Sequence, residues 1–158
     1  MRIVPLADSP HFLPLIVAQL HADWGSLPPW SDPHVVQKRL EKACDSAPFP
    51  RAFVAVSDQG AFLGTASIKL NELRHHPEKT HWLGEVYVPK ECRGRGIGTQ
   101  LIDAAANYAF QEGALSLFLY TPDQQKLYAK LGWQPVGTEI VNGEPVTVMV
   151  RRQSRVTC

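Results

Sequence analysis

Residues 93–98 read Arg-Gly-Arg-Gly-Ile-Gly, and this stretch lies between an apolar segment and an amphipathic one. Its three glycines alternate with larger residues, so backbone N–H groups can approach a ligand with no Cβ atom in the way. A helix that begins here directs its free N–H groups and the positive end of its dipole toward the same space. Arg93 and Arg95 add charge that suits a phosphate group. The stretch therefore predicts an anion-binding turn, although a purely structural glycine-rich connection is the alternative.

Two well-known nucleotide motifs do not fit this turn. The dinucleotide fingerprint requires glycine at its first, third and sixth positions, and counting from Gly94 the sixth position is Thr99. The phosphate-binding loop of nucleoside triphosphatases requires Gly-Lys followed by Ser or Thr, and the sequence contains no such tripeptide. The turn also follows the fourth predicted strand, whereas a Rossmann domain carries its glycine turn after the first.

The periodicity of the apolar residues predicts a mixed α/β domain, an α+β arrangement built on one mixed sheet. Asp32 precedes Pro33 as a helix N-cap would, and Asn142-Gly143 is a typical turn of a β-hairpin. The nearly continuous apolar run of residues 115–120 is typical of a strand that is buried on both faces. Strands are predicted at residues 2–6, 52–56, 61–70, 82–88, 115–120, 133–140 and 145–150. Helices are predicted at residues 10–21, 33–44, 97–112 and 124–131.

Length and composition indicate one globular domain over residues 1–150, with a C-terminal tail at 151–158. The 158-residue chain has an ordinary apolar fraction of 44% and a formal net charge of +1. This balance offers no excess of positive charge for nucleic acid, and no apolar run approaches the length that crosses a membrane. The three cysteines are widely spaced, and the N-terminus has no signal-peptide pattern. We therefore expect a cytoplasmic protein without nucleic-acid or membrane partners, either a monomer or a homodimer.

Two motifs resemble those of the GCN5-related N-acetyltransferase (GNAT) superfamily. Arg93-x-x-Gly96-x-Gly98 is similar to its pyrophosphate-binding pattern, and residues 127–133, Leu-Tyr-Ala-Lys-Leu-Gly-Trp, are similar to its second signature. The order of the predicted elements also matches the fold, so the resemblance covers almost the whole chain. Residues 82–83 and 120–123 resemble a bacterial branch of undefined substrate. The resemblance implies a central sheet of about seven strands, splayed between the fourth and fifth and flanked by four helices.

The resemblance implies an N-acetyltransferase that uses acetyl-CoA as co-substrate and no metal. A primary amine, in a small molecule or at a peptide N-terminus, would attack the thioester directly and form a tetrahedral intermediate. The backbone N–H of Val86 would bind the thioester carbonyl, and Tyr128 would act as general acid toward the departing thiolate; the alternative role of Tyr128 is that of a core aromatic. The residues implied in cofactor binding are Val86, Tyr87, Val88, Arg93, Gly94, Arg95, Gly96, Ile97, Gly98 and Thr99.

The general base is harder to identify. The family positions that carry a base on this strand correspond to Trp82 and Gly84, neither of which can accept a proton. Strict alternation places Glu85 with Tyr87 on one face of the strand, and Trp82, Gly84 and Val86 on the other. Glu85 could therefore serve as the base only if a β-bulge redirected its side chain. Flanking candidates that could act through water are Glu72, His75, His76 and His81; the adjacent His75 and His76 lack the spacing of metal ligands.

The acceptor site is expected across the sheet split, beneath the loop between the first two helices. Trp24, Trp30 and Trp82 are the candidate substrate residues, and packing against the sheet is the alternative role for the first two. A cationic amine could stack on such a ring. A second function of another class also stays open. Because no base occupies positions 82 and 84, the chain could instead be a catalytically silent CoA-binding sensor or interaction module of the same fold.

Overall fold

The computed structural model describes residues 1–45, 48–73 and 75–153. Seven strands form one sheet in the order β1-β2-β3-β4-β5-β7-β6. All neighbouring strands are antiparallel except β4 and β5, which are parallel. The sheet is therefore mixed, as predicted. The strands are β1 (Arg2–Pro5), β2 (Arg51–Val56), β3 (Phe62–Leu70), β4 (His81–Tyr87), β5 (Ser116–Thr121), β6 (Gln134–Val141) and β7 (Glu144–Arg152).

Within the part of the chain that the structure describes, four α-helices cover the two faces of the sheet. They are α1 (Leu13–Trp24), α2 (Pro33–Asp45), α3 (Ile97–Gln111) and α4 (Gln125–Lys130). Helices α1 and α2 pack on one face and bury a cluster that includes Leu20, Leu40 and Val54. Helix α3 packs on the other face, where Leu101 and Ile102 are in the same cluster as strand residues from both halves of the sheet. The fold predicted from the sequence is confirmed.

Local sequence signals explain several element boundaries. The Asp32 carboxylate accepts a hydrogen bond from the backbone N–H of His34 at 2.9 Å, so Asp32 caps α2 with Pro33 at the first helical position. Asn142 and Gly143 have φ angles of +53° and +79°, which is the geometry of a tight hairpin between β6 and β7. Both predicted boundaries are confirmed.

The sheet splits between its two parallel strands. Strands β4 and β5 share a single pair of opposed residues, Trp82 and Phe118, and beyond that pair no register joins them. The backbone of β4 after Trp82 is thus free of a partner on the β5 side. The resemblance implied a sheet splayed between its fourth and fifth strands, and the structure contains this split.

A β-bulge interrupts β4 just after the split begins. Ser67 of β3 lies opposite Gly84, whereas Thr65 lies opposite Tyr87, so three steps on β4 match two on β3. The extra residue is Glu85, whose φ of +51° lies in the left-handed region. The bulge shifts the alternation of side chains, and everything beyond it changes face.

The bulge corrects the predicted distribution of side chains on β4. Glu85 and Tyr87 share a face, as expected, because both point toward α1 and α2. Gly84 lies on that same face, since the Lys69 side chain that binds Glu85 also lies beside Gly84, whereas Val86 packs against the α3 cluster on the other face. Strict alternation was therefore wrong in separating Glu85 and Tyr87 from Gly84 and in placing Val86 with Gly84, because it assumed an unbroken strand.

Two predictions for the C-terminal part of the chain also differ from the structure: the burial of β5 and the start of the tail. Strand β5 is buried on one face only, with Leu117 and Leu119 in the core, and Leu115 precedes the strand with 74% exposure. The predicted tail begins too early, because β7 continues through Arg152 and the Arg151 guanidinium lies 3.3 Å from the Asp103 carboxylate of α3. Residues 154–158 of that tail lie outside the described residues. Within the described ranges, none of the helices combines the length and the apolar character needed to cross a bilayer.

Candidate active site

A cavity of about 330 Å³ opens at the split of the sheet. One wall consists of residues 83–86 of β4 and the opposite wall of residues 119–121 of β5. Helix α4, the β6–β7 hairpin and the loop after α1 complete its rim. The cavity thus lies where the two halves of the sheet diverge, which is where ligands bind in sheets of this kind.

The glycine turn lies at the start of α3, as predicted. Gly94 and Gly96 have φ angles of +80° and +77°, and Gly96 is the N-cap of the helix. An added Cβ at either position would meet no atom within 4 Å, so the backbone conformation is what requires glycine there. The N–H groups of residues 97–99 lie in the first turn of α3 and have no partner within the helix. The turn therefore offers a set of free donors at the positive end of a helix dipole.

The two arginines of the turn also have structural contacts. The Arg93 Nε–H donates to the Val88 carbonyl at 2.9 Å, and an Arg95 N–H donates to the Glu91 carbonyl at 3.3 Å. Both side chains remain exposed. Ile97, by contrast, is buried in the core, and among the implied cofactor residues it can contribute only its backbone. Arg93 thus ties the turn to the end of β4 while its charge stays close to the free N–H groups.

The three strand residues implied in cofactor binding differ in orientation. Val86 lines the cavity, and it lies in the bulge, opposite no residue of β3. Tyr87 is buried in the α1–α2 cluster, and its hydroxyl donates to the Asp23 carboxylate at 2.6 Å. Val88 directly follows the strand and approaches Gly98 at the start of α3. The chain therefore leads from the cavity to the glycine turn within a few residues.

Tyr128 on α4 lines the same cavity as Val86. Its ring packs edge-on against Trp133 at a centroid distance of 5.9 Å and joins the α3-side core. Burial, with a smaller contribution from the charge of Asp123, raises the pKa of Tyr128 to about 12. Its hydroxyl is consequently protonated throughout the neutral range and can donate a hydrogen bond into the cavity. Tyr128 is both a core aromatic and a cavity residue, so the two roles considered for it do not exclude each other.

Glu85 is buried and held by two cations. Its Oε1 lies 2.6 Å from the Lys69 Nζ and 2.9 Å from an Arg39 guanidinium nitrogen, and its side chain is only 2% exposed. Burial alone would raise the pKa of this carboxyl, but the charges and hydrogen bonds of Lys69 and Arg39 outweigh that effect and lower the pKa. The bulge required for Glu85 to reach the cavity is present, yet a carboxylate in this environment is a weak proton acceptor. The base role of Glu85 stays a prediction that these contacts do not favour.

Only one of the other base candidates borders the cavity. Glu72 lies on the rim, 3.8 Å from the Lys69 Nζ and with a quarter of its side chain exposed. His75 and His76 face Glu139 on β6 instead, and His81 packs edge-on against Phe49 at 4.6 Å. Among the four flanking residues, Glu72 is therefore the one placed to exchange a proton with a molecule in the cavity.

Two of the three predicted substrate residues lie at the cavity. Trp24 and Trp30 line it, and their rings meet edge-on at 5.0 Å. Two hydrogen bonds fix the loop that contains Trp30. The His21 Nδ1 is bonded to the Trp30 carbonyl, and an Arg39 N–H donates to the Pro29 carbonyl. The tryptophans are thus fixed against the sheet while part of their surface faces the cavity.

Trp82 was predicted wrongly as a substrate residue. It is fully buried, its ring packs against Phe118 at 5.5 Å, and its Nε1–H donates to the Lys79 carbonyl at 2.7 Å. Because Trp82 and Phe118 form the one pair that joins β4 to β5, Trp82 supports the closed end of the split.

Several residues of the site were not identified from the sequence. Lys69, Asp123 and Glu144 line the cavity, and Arg39 binds Glu85 together with Lys69 without lining it. One signal was available, since Lys69 lies on the strand next to β4 and a buried glutamate requires a cation nearby. Arg39 offered no such signal, because only the packing of α2 brings it to the strand.

Comparisons with known proteins agree with this geometry. Residues 16–133 match the acetyltransferase (GNAT) family. The fold is similar to that of an aminoglycoside 6′-N-acetyltransferase complexed with coenzyme A, with 18% identity and a TM-score of 0.78 over 99% of this chain and 100% of that one. A variant of the spermidine N-acetyltransferase SpeG from Vibrio cholerae is 17% identical, with a TM-score of 0.73 over 96% of this chain and 95% of that one.

A histone acetyltransferase HPA2 and related acetyltransferase from Corynebacterium glutamicum is 20% identical, with a TM-score of 0.72 over 99% and 98% of the two chains. No curated protein matches the sequence. Since the family match spans well over half of the chain and includes the glycine turn, the split strand and α4, this chain belongs to the GNAT family of acetyltransferases.

Proposed function

We propose that this protein is an acetyl-CoA-dependent N-acetyltransferase whose acceptor is a small, positively charged amine. GNAT acetyltransferases use acetyl-CoA as co-substrate. One observation carries the proposal: the cavity at the sheet split is lined by Val86 and Tyr128 together with two tryptophans and several carboxylates. Val86 and Tyr128 suit a thioester, and the tryptophans and carboxylates suit an amine.

The donor side fits an extended molecule with a pyrophosphate at one end. The glycine turn supplies free N–H groups for the pyrophosphate. The unpaired stretch of β4 supplies backbone groups that can pair with the amides of a pantetheine arm, as an added strand would. The position of Val86 between these two features supports its N–H as the donor to the thioester carbonyl oxygen.

The charge of the rim supports a cationic acceptor. Lys69 and Arg39 together offset Glu85 and one further negative charge, so the four carboxylates Glu72, Glu85, Asp123 and Glu144 keep an excess of two negative charges over these two cations. Such a field raises the local concentration of a cation. The half-buried ring of Trp24 adds a surface on which an ammonium group can stack. A peptide N-terminus would satisfy the same chemistry with fewer charges.

The chain's own groups can move the protons that the reaction requires. An amine attacks only when neutral, and we assign Glu72, acting through water, as the group that accepts its proton. Tyr128, with a pKa of about 12, is a weaker acid than a thiol of pKa about 8.5. Its hydroxyl therefore stabilises the departing sulfur chiefly by donating a hydrogen bond as negative charge develops there.

The test begins with calorimetric titration of the purified protein with acetyl-CoA, using NAD and ATP as controls. We expect micromolar binding of acetyl-CoA alone, and failure to bind it would contradict the assignment of the donor side. A screen for released CoA thiol then compares polyamines, aminoglycosides, peptides with a free N-terminus and neutral amines. Turnover that is fastest with multiply charged amines supports the proposal. Binding without turnover on any amine would favour the sensor or interaction module instead.

A further inference from the structure

A cluster of two imidazoles and one carboxylate lies outside the catalytic cavity, between the β3–β4 loop and strand β6. The Nε2 atoms of His75 and His76 both point to Oε1 of Glu139, the former at 3.1 Å and the latter in a shorter contact. The ligand atoms of the three side chains lie within 4.8 Å of one another. The two histidines are adjacent in sequence and have no ligand spacing by themselves, but a residue more than sixty positions away completes a set of three.

The orientation of His76 is typical of a metal ligand. Its Nδ1 lies 3.3 Å from a Glu78 carboxylate oxygen and 3.5 Å from the Lys79 Nζ, while its Nε2 faces Glu139. When Nδ1–H donates to Glu78, Nε2 presents a lone pair, and a carboxylate on the far nitrogen increases the basicity of a ligating ring. Lys79 also binds Glu78, at 2.9 Å. His76 therefore has the kind of second partner that commonly supports a ligating histidine.

Glu139 carries an unexplained polar atom. Its Oε2 is buried and has no hydrogen-bond partner among the residues that the structure describes. A buried carboxylate oxygen without a partner is costly. A cation bound between the two imidazoles and this carboxylate would use both the crowded Oε1 and the orphaned Oε2.

We propose that His75, His76 and Glu139 form a binding site for a divalent transition metal, most suitably Zn²⁺. Two imidazole nitrogens and a carboxylate match the ligands that Zn²⁺ prefers, whereas Mg²⁺ and Ca²⁺ prefer oxygen ligands alone. Three protein ligands leave a fourth position for water. The ion would fasten the β3–β4 loop, which carries Glu72, to the β6–β7 hairpin, which carries Glu144. It is a structural clamp beside the cavity, and the proposal does not depend on acetyl transfer.

The test uses tag-free protein freed of metal by a chelator and titrated calorimetrically with Zn²⁺. Loss of an outer-shell partner typically costs about 10- to 100-fold in metal affinity, so removal of a ligand should cost at least that much. We expect one Zn²⁺ per chain, and at least tenfold weaker binding in His75→Ala, His76→Ala and Glu139→Gln. His34→Ala, an exposed histidine on α2, is the matched control and should bind as the wild type does.

A second measurement keeps the proposal falsifiable if one variant folds poorly. The His75 side chain is 61% exposed, so His75→Ala should fold normally. Co²⁺ should give the visible absorption of a tetrahedral nitrogen- and oxygen-ligated site in the wild type, and this absorption should be weak in His75→Ala. Absence of Zn²⁺ binding, or binding that all three variants retain, would overturn the proposal.

Discussion

Replacement of Glu85 by glutamine separates a structural role of this residue from a catalytic one. The substitution keeps the shape of the side chain and removes its charge, which leaves Lys69 and Arg39 facing each other without a carboxylate between them. Breaking a buried ion pair from one side costs about 3–5 kcal/mol. Because Arg39 is 34% exposed and can recover part of its hydration, we expect the lower part of that range, about 3 kcal/mol.

The expected loss is large enough to measure by thermal or urea unfolding followed by circular dichroism. For a chain of this size about 3 kcal/mol corresponds to a decrease in Tm of roughly 6–12 °C. Glu72→Gln is the matched control, since Glu72 lies 3.8 Å from the same lysine and is partly exposed. It should change the Tm by less than about 4 °C, because exposed pairs contribute at most about 1 kcal/mol.

The pH dependence gives a second check. Lys69 and Arg39 hold the pKa of Glu85 below its value in the unfolded chain, about 4.3. The stabilisation is therefore complete above that pH and is lost as the pH falls through the lowered pKa of the folded state. The difference in stability between wild type and Glu85→Gln should be constant from pH 7 to about pH 5 and should shrink in more acidic solution.

Steady-state kinetics then test which of the two carboxylates, Glu72 or Glu85, acts as the general base. We expect Glu72→Gln to lower kcat, and Glu85→Gln, assayed below its Tm, to keep a kcat close to that of the wild type. A Glu85→Gln protein that melts with the wild type but has lost its turnover would refute this reasoning and make Glu85 the base.

Three further predictions concern the donor turn, the Tyr128 hydroxyl and the acceptor site. Gly96→Ala should weaken acetyl-CoA binding by up to about 5- to 30-fold in calorimetry. A left-handed φ costs alanine about 1–2 kcal/mol, so the free turn relaxes away from this conformation and must recover it on binding. Gly98→Ala, whose Cβ would meet only Val88 at 3.7 Å, is the control, and an equal loss of affinity in both variants would contradict the binding role of the turn. Tyr128→Phe should lower kcat about 100-fold with unchanged acetyl-CoA affinity. Because the pKa of Tyr128 is about 12, the pH profile of wild-type kcat should show no change from the ionisation of this group below about pH 10. Full activity of the variant would mean that Tyr128 has a purely structural role. Trp24→Ala should raise the KM for a cationic amine about 3- to 30-fold, whereas Trp24→Phe should keep most of the wild-type affinity. If Trp24→Ala raised the KM for a neutral amine equally, the result would argue against cation stacking.

The sequence predicted the elements of this fold well because their signals are local. The N-cap Asp32, the Asn142-Gly143 turn and the glycines before α3 each set a backbone conformation within a few residues. The apolar periodicity of α3 likewise required no knowledge of its partners. Each of these signals sets the backbone conformation at its own position without contacts from distant parts of the chain.

The site was predictable only in part because it depends on register and on distant contacts. The bulge at Glu85 moved Val86 to the opposite face, and no pattern within β4 announces an inserted residue. Trp82 was misplaced for a related reason, since its burial follows from its pairing with Phe118 across the split. The rim carboxylates Asp123 and Glu144 come together only when α4 and the hairpin fold over β5.

The single pair that joins β4 to β5 has a consequence for how the molecule opens. With Trp82 and Phe118 as the one hydrogen-bonded junction, strands β1–β4 and strands β5–β7 form two blocks whose amides need not exchange with solvent together. Helix α3 bridges both blocks on one face only. We expect amide hydrogen exchange to distinguish two cooperative units in the free protein. A ligand that inserts between them would make them exchange as one unit, so that occupancy of the active site could be measured as a change in cooperativity.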